Sequence, residues 1–113
     1  MDFKLTPEQE MIKRAAKEFA DREIEPIAGQ VEREKKVPPD MLKKFAQARL
    51  LGMTTPRKYG GVEAGFLNWI LATEQLAYPA SACSEKVAMN NTIPNMIALY
   101  GTEEQKEKYI KPM

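Results

Sequence analysis

Thr6-Pro7-Glu8-Gln9, with Met11-Ile12, Ala15-Ala16 and Phe19 behind it, is the stretch that decides the fold. Thr6 suits a helix cap, and Pro7 fits the first helical position, where an amide proton would have no partner. Gln9 stands where its side chain reaches back to the cap. The apolar residues then recur at three- and four-residue steps, one stripe of an amphipathic helix. The same start returns as Thr102-Glu103-Glu104-Gln105 after Gly101, and it predicts a short last helix through Ile110.

Working inward from both ends, the remaining signals are also helical. Pro26 lacks an amide proton and restricts Glu25, so the first pattern must break or kink there. A second helix is expected from about Pro26 into the alternating charges Glu32-Arg33-Glu34-Lys35-Lys36, a solvated helix end. Pro38-Pro39-Asp40 opens a third, with Met41, Leu42, Phe45 and Ala46 facing inward and an end near Leu50. Residues 52–65 hold four glycines and a proline, which is loop chemistry. Their Gly60-Gly61 pair has no preceding strand and no Gly-Lys-Ser/Thr ending, so an ordered surface connection is expected rather than a phosphate cradle. Phe66 to Tyr78 reads as a fourth helix, with Leu67, Ile70, Leu71 and Glu74 at helical spacing and Pro79 behind it. Ala80 to Tyr100 reads as a fifth, with Met89, Ile93, Met96, Ile97 and Tyr100 as its apolar face and a bend at Pro94. The expectation is an all-α domain, bundle-like, of five or six helices.

Composition narrows the function classes. A chain of 113 residues has room for one core. Seventeen basic against sixteen acidic residues leave a net charge of +1, too little for general attraction to nucleic acid or an anionic membrane. No apolar run approaches the length of a membrane span, and no signal peptide is visible, so a cytoplasmic location is expected. The sequence has no histidine, which removes Ser-His and Cys-His nucleophile pairs and histidine metal sites. Its single cysteine, Cys83, cannot form an internal disulfide and reads as a small, semi-buried filler. The seven methionines, spaced beside Ile and Leu, read as core.

Two features invite a chemical reading. Glu74 falls among apolar neighbours, where burial would raise its pKa and suit it to acid or base work. A partly exposed polar group or a structural hydrogen-bond partner is the commoner outcome for such a residue. On the fifth helix, Ser84, Ala88, Asn91, Thr92 and Asn95 share a face of small and polar side chains. Such a face lets another backbone, domain or ligand come close, although spacing alone favours an ordinary solvent face.

An ordered series of longer motifs carries a resemblance. It runs from Phe3-Lys4-Leu5-Thr6-Pro7-Glu8-Gln9 through Phe19-Ala20-Asp21-Arg22-Glu23-Ile24-Glu25-Pro26-Ile27-Ala28 and Leu50-Leu51-Gly52-Met53. It continues with Pro56-Arg57-Lys58-Tyr59-Gly60-Gly61 and Glu74-Gln75-Leu76-Ala77, and ends in Tyr100-Gly101-Thr102-Glu103-Glu104-Gln105-Lys106-Glu107-Lys108-Tyr109-Ile110. In this order and spacing the chain resembles the N-terminal helical domain of the acyl-CoA dehydrogenases over essentially its whole length.

The resemblance implies an oxidoreductase of three domains, with a β-rich middle domain and a C-terminal helical bundle following this one. FAD and the catalytic glutamate would belong to those later parts, and the parent would be a homotetramer that desaturates acyl-CoA thioesters. Residues 1–113 are then expected to be a piece of that enzyme, with no cofactor and no catalysis of their own. Glu74 does not correspond to the catalytic base. The family role of the N-terminal domain is to wall one side of the acyl pocket, which falls on Ser84, Glu85, Ala88 and Thr92. A second role, docking the electron-transfer flavoprotein, falls on Ile12, Leu50, Val62 and Ala72. Two departures stand out: Arg49 occupies a position where the family usually has glycine, and Met89-Asn90-Asn91-Thr92 replaces a His-Asn-Ser-Leu-like run. A free-standing helical interaction module with the same fold is the second reading.

Overall fold

Both threonine starts cap as their sequences require. Thr6 Oγ1 accepts from the Gln9 amide at 3.2 Å while Gln9 Oε1 accepts from the Thr6 amide at 2.9 Å. Thr102 and Gln105 repeat the exchange at the same two distances. In the computed structural model, which describes residues 2–113, the first box opens α1 (Pro7–Phe19). The α-helical pattern breaks ahead of Pro26, as the proline requires, without the chain leaving a helical path. A π-helical turn over Ala20–Ile24 and a 3-10 turn over Glu25–Ile27 lead directly into α2 (Ala28–Glu34). Pro26 sits in the first two positions of the 3-10 turn, where a missing amide proton costs nothing. Lys35 then closes α2 in the left-handed conformation, so the helix ends at Glu34, two residues before the expected Lys36.

α3 (Asp40–Gln47) also stops before its expected end near Leu50. The Arg49 amide donates to the Ala46 carbonyl and the Leu50 amide reaches back to the Phe45 carbonyl, both at 3.0 Å. These two bonds form a Schellman turn with Arg49 at its left-handed position, φ 59°. A side chain there crowds the following carbonyl, at a cost of about 1–2 kcal/mol that glycine avoids. This is the position at which the sequence departs from the glycine its resemblance implies.

The segment from Gly52 to Gly65 contains a short 3-10 turn (Arg57–Tyr59) and folds back on itself. The Val62 amide donates to the Gly52 carbonyl at 2.8 Å and the Glu63 amide to the Thr55 carbonyl at 3.1 Å. α4 (Phe66–Ala77), α5 (Ser81–Tyr100) and α6 (Glu103–Gln105, continued by a π-helical turn over Lys106–Ile110) complete the chain. Pro94 lies inside α5, which remains helical on both sides of it. No strand occurs among the described residues.

α4 packs against α1 on one side and α5 on the other. The core joins Ala16, Phe19, Ala20 and Ile24 to Met41, Phe45, Leu76, Cys83 and Val87. The Phe19 and Phe45 rings meet at 5.6 Å, and Lys44 bridges to Glu23 at 2.9 Å across the same contact. The assembly measures 42 × 41 × 21 Å. Two helices stacked at ordinary separations account for the short dimension, so the domain is a slab with two large faces.

The inward stripes of α1 and α3 are narrower than spacing suggested, and α4 and α5 turn a different face inward. Met11 and Ala15 of α1 and Leu42 and Ala46 of α3 are exposed, as are Leu67, Ile70 and Glu74 of α4. α4 buries Leu71, Ala72, Gln75 and Leu76 instead. α5 shows the largest reversal: Met89, Met96 and Tyr100 are 50%, 55% and 85% exposed, while Cys83, Ser84, Val87, Asn91 and Pro94 are buried. Of the methionines, Met41 and Met53 belong to the core, but Met11, Met89, Met96 and Met113 do not; Met1 lies outside the described residues. The physical reason is that small side chains let α5 approach its neighbours closely, and α4 is flanked by helices on two sides.

Candidate functional site

Three separated chain segments converge on one groove. Ile12 from α1, Leu50 from the Schellman turn and Val62 from the 52–65 segment border a space of about 440 Å³. Ala16, Phe19, Met53 and Ala64 complete its apolar wall, and Glu18, Arg22 and Arg49 supply its charged members. The groove exists because the Schellman turn reverses the chain after Phe45 and returns Leu50 and Met53 toward α1. Ala72 is not on this wall. It is fully buried in the core on α4, facing the neighbouring helix, which corrects its assignment to the same surface.

The four α5 residues assigned to an acyl-pocket wall follow one side of the helix without bordering that groove. Ser84 is buried and its hydroxyl donates to the Ser81 carbonyl at 2.8 Å; Thr92 is exposed and its hydroxyl donates to the Ala88 carbonyl at 2.8 Å. Both hydroxyl protons are thus spent on the helix backbone. Ala88 between them is half-buried and Glu85 is exposed. What this strip offers a neighbour is the Ala88 methyl, the Thr92 hydroxyl with its spare lone pairs and the exposed Glu85 carboxylate, with Ser84 buried beneath.

Sequence reasoning placed Asn91 on the small face but missed its function, which is to tie α5 to the turn that builds the groove. Fully buried, it accepts from the Thr54 amide through Oδ1 at 3.2 Å and donates through Nδ2 to the Leu50 carbonyl at 3.1 Å and the Val87 carbonyl at 2.8 Å. Thr54 Oγ1 returns a bond to the Asn91 carbonyl at 3.0 Å. Asn90 beside it accepts from the Gly52 amide at 3.2 Å. An Asn-Asn pair one turn from an apolar position was the available signal, because adjacent amides on a buried helix need loop partners.

The titratable groups do not assemble into a reaction centre. Glu74 is exposed, so it lacks the buried setting that acid or base work would need. Burial pushes the Cys83 thiol up and away from its reactive thiolate form. Glu23 is held below the usual carboxylate range by its hydrogen bond from Lys44, and Glu103 by the one from Lys106 with help from the Tyr59 hydroxyl. Both are ion pairs of the fold. Among the described residues, no cluster of three or more metal-ligating side chains occurs and no helix is long and apolar enough to cross a membrane. The Gly60-Gly61 turn is no phosphate cradle either: the Gly60, Gly61 and Val62 amides are already donated to the Arg57, Pro56 and Gly52 carbonyls.

The fold has close counterparts. Residues 6–113 match the family described as Acyl-CoA dehydrogenase, N-terminal domain. An acryloyl-CoA reductase (NADH) of Anaerotignum propionicum is 38% identical over 97% of this chain and 28% of its own length. A short-chain specific acyl-CoA dehydrogenase of Clostridium acetobutylicum is 33% identical over 100% of this chain and 30% of its own. Among solved structures, a butyryl-CoA dehydrogenase from Megasphaera elsdenii superimposes on 99% of this chain with a TM-score of 0.86 at 27% identity, using 30% of its length. A chain from work on the electron transferring flavoprotein of Acidaminococcus fermentans and flavin-based electron bifurcation reaches 0.90 at 34% identity, again over 30% of its length. The sequence described here therefore spans about 30% of the length of the relatives it matches. With its two capping boxes, its all-helical order and this match from Thr6 to Met113, the chain belongs to the acyl-CoA dehydrogenase family, as the N-terminal domain of that family.

Proposed function

We propose that the chain works as the N-terminal helical domain of an FAD-dependent acyl-CoA dehydrogenase, a homotetramer that removes hydrogen across the α,β bond of an acyl-CoA thioester. The observation that carries this reading is the match over nearly the whole chain to a butyryl-CoA dehydrogenase and a short-chain specific acyl-CoA dehydrogenase. In this reading Ser84, Glu85, Ala88 and Thr92 wall one side of the acyl pocket, and the groove at Ile12, Leu50 and Val62 receives an electron-transferring flavoprotein. The convergence of those three residues from distant segments supports the docking role, as does the likeness to a chain from the flavoprotein work. The chain's glycine turn does not fit a flavin pyrophosphate, since its amides are spent on the fold. Flavin binding and proton abstraction are assigned to the rest of the enzyme.

Ala88 provides the test. It sits one turn from Ser84 and one turn from Thr92, half-buried in the middle of the proposed wall. Ala88→Trp in the full-length enzyme should cut kcat/KM steeply for long acyl chains and spare short ones, with the melting temperature retained. An Ala88 packed inside the fold would instead give uniform losses and lower stability, because adding bulk to a filled core costs about 1–3 kcal/mol. A chain-length series beside a thermal melt separates the two, and a uniform loss removes Ala88 from the pocket.

A further inference from the structure

The groove holds one residue that its own backbone does not favour. Arg49 occupies the left-handed position of the Schellman turn, φ 59°, where glycine carries no strain. Its guanidinium enters no salt bridge and no side-chain hydrogen bond among the described residues. Arg22, the other cation of the groove, is partly engaged by Glu23 at 3.3 Å, and the second Glu23 oxygen is taken by Lys44 at 2.9 Å. The turn thus keeps a strained backbone and obtains from it an uncommitted cation on the border of an apolar groove. Lys35 shares this conformation at the end of α2, but only Arg49 carries its cation to the border of an apolar groove, and that placement points to a contact made outside the chain.

We propose that Arg49 reads a carboxylate on the partner whose apolar side chain seats in this groove. The proposal rests on the docking reading above and names the chemistry of the partner. That partner is a segment of the electron-transferring flavoprotein presenting an apolar side chain to Ile12, Leu50 and Val62, with an Asp or Glu beside it. Two features of the groove argue for this occupant. Its 440 Å³ exceeds what one side chain fills, so a loop segment enters rather than a lone residue, and its charged members are two arginines against one glutamate. The planar guanidinium donates two parallel bonds to a carboxylate, a geometry that a lysine ammonium lacks. The competing account makes Arg49 only a cation complementing the C-terminal end of α3. That account ties Arg49 to stability and leaves association with a partner unaffected.

The experiment uses the full-length enzyme containing this chain, with its purified electron-transferring flavoprotein as acceptor and a small artificial dye as the comparison acceptor. Arg49→Gly should melt no lower than the parent and keep its kcat with the dye. Its KM for the flavoprotein should rise about tenfold at low salt, the size expected for losing one charge-assisted pair. The rise should shrink in high salt, where the pair is screened. Arg49→Lys should restore only part of the loss. Val62→Glu, which places a charge in the apolar wall, tests the groove independently. If Val62→Glu raises the flavoprotein KM and Arg49→Gly does not, the docking reading stands and the Arg49 assignment is overturned. If neither raises it, the docking reading falls and the assignment falls with it. A lower melting temperature for Arg49→Gly with equal losses toward both acceptors also overturns the proposal, in favour of the helix-end role.

Discussion

Asn91→Ala removes the side chain that fastens α5 to the turn after α3, and its cost follows from what is left unpaired. The Leu50 carbonyl loses its 3.1 Å donor and the Thr54 amide loses its 3.2 Å acceptor. The Val87 carbonyl is a helix carbonyl in the middle of α5 and loses only a supplementary bond. A buried polar group left without a partner costs about 1–3 kcal/mol. Leu50 is buried and Thr54 half-buried, so about 2 kcal/mol for the carbonyl and about 1 kcal/mol for the amide is a reasonable division. A total near 3 kcal/mol is a large share of the ~5–15 kcal/mol by which domains are stable, and it lowers Tm by roughly 15 °C at this size. Urea denaturation followed by far-UV circular dichroism gives the loss directly, provided the m-value is unchanged. Asn91→Asp refines the test. Its carboxylate keeps an acceptor for Thr54 but faces two carbonyls in a buried site, which raises its folded-state pKa. Its penalty should therefore be small at low pH and grow as pH rises from the unfolded carboxylate value toward the folded one. Thr92→Val, one residue along and exposed, should stay within about 0.5 kcal/mol. A loss below about 1 kcal/mol for Asn91→Ala would refute the reasoning, because the loop groups would then have found other partners.

Gly61→Ala should be among the most damaging single changes in the chain. Its new Cβ would stand 2.5 Å from the carbonyl carbon of Thr55, with the carbonyl oxygen closer still, so the 52–65 segment must open. A loss of about 3 kcal/mol or more, or failure to accumulate folded protein, is expected in the same urea titration. The Lys44–Glu23 pair predicts a pH dependence. Because the folded-state pKa of Glu23 is lowered, its stabilisation is present above the ordinary value of 4.5 and is lost as pH falls through the lower folded value. Lys44→Met should accordingly flatten the fall in stability below pH 4.5, and an acid profile that does not change on this substitution would discount the pair.

How much of this was legible depended on the range of the interaction. Thr6 with Gln9 and Thr102 with Gln105 were readable because both partners lie within three residues and the exchange requires nothing from the rest of the fold. The loop character of Gly52 to Gly65 was readable for the same reason. The break at Pro26 was readable from the proline itself, but the π and 3-10 turns that carry the chain across it depend on Ile24 and Ala20 being fixed in the core. The inward faces of α4 and α5 were not legible. Periodicity states which residues share a face, and α5 has two complete faces; the choice between them is made by α1 and α4, which the local pattern does not contain. Ile12, Leu50 and Val62 line one groove although they lie far apart in the sequence, and the depth of Ala72 follows from how α4 packs, which no local pattern states.

The reversal on α5 bears on function as well as on folding. Cys83, Ser84 and Val87 are short enough to bring α5 close to its neighbours, and using them inside leaves Met89, Ile93, Met96 and Tyr100 outside. α4 makes the same choice with Phe66, Leu67 and Ile70. On that helix Trp69 Nε1 and Thr73 Oγ1 are out of contact with solvent yet meet no hydrogen-bond partner, and they line one shallow apolar depression with Ile70 and Ala77. A slab 21 Å thick cannot cover so much apolar surface by itself. Large exposed apolar patches on a folded domain mark surfaces that meet something else. In the proposed enzyme these are the faces turned toward the remaining domains, and the close internal packing of small residues on α5 is what frees its large apolar side chains to meet them.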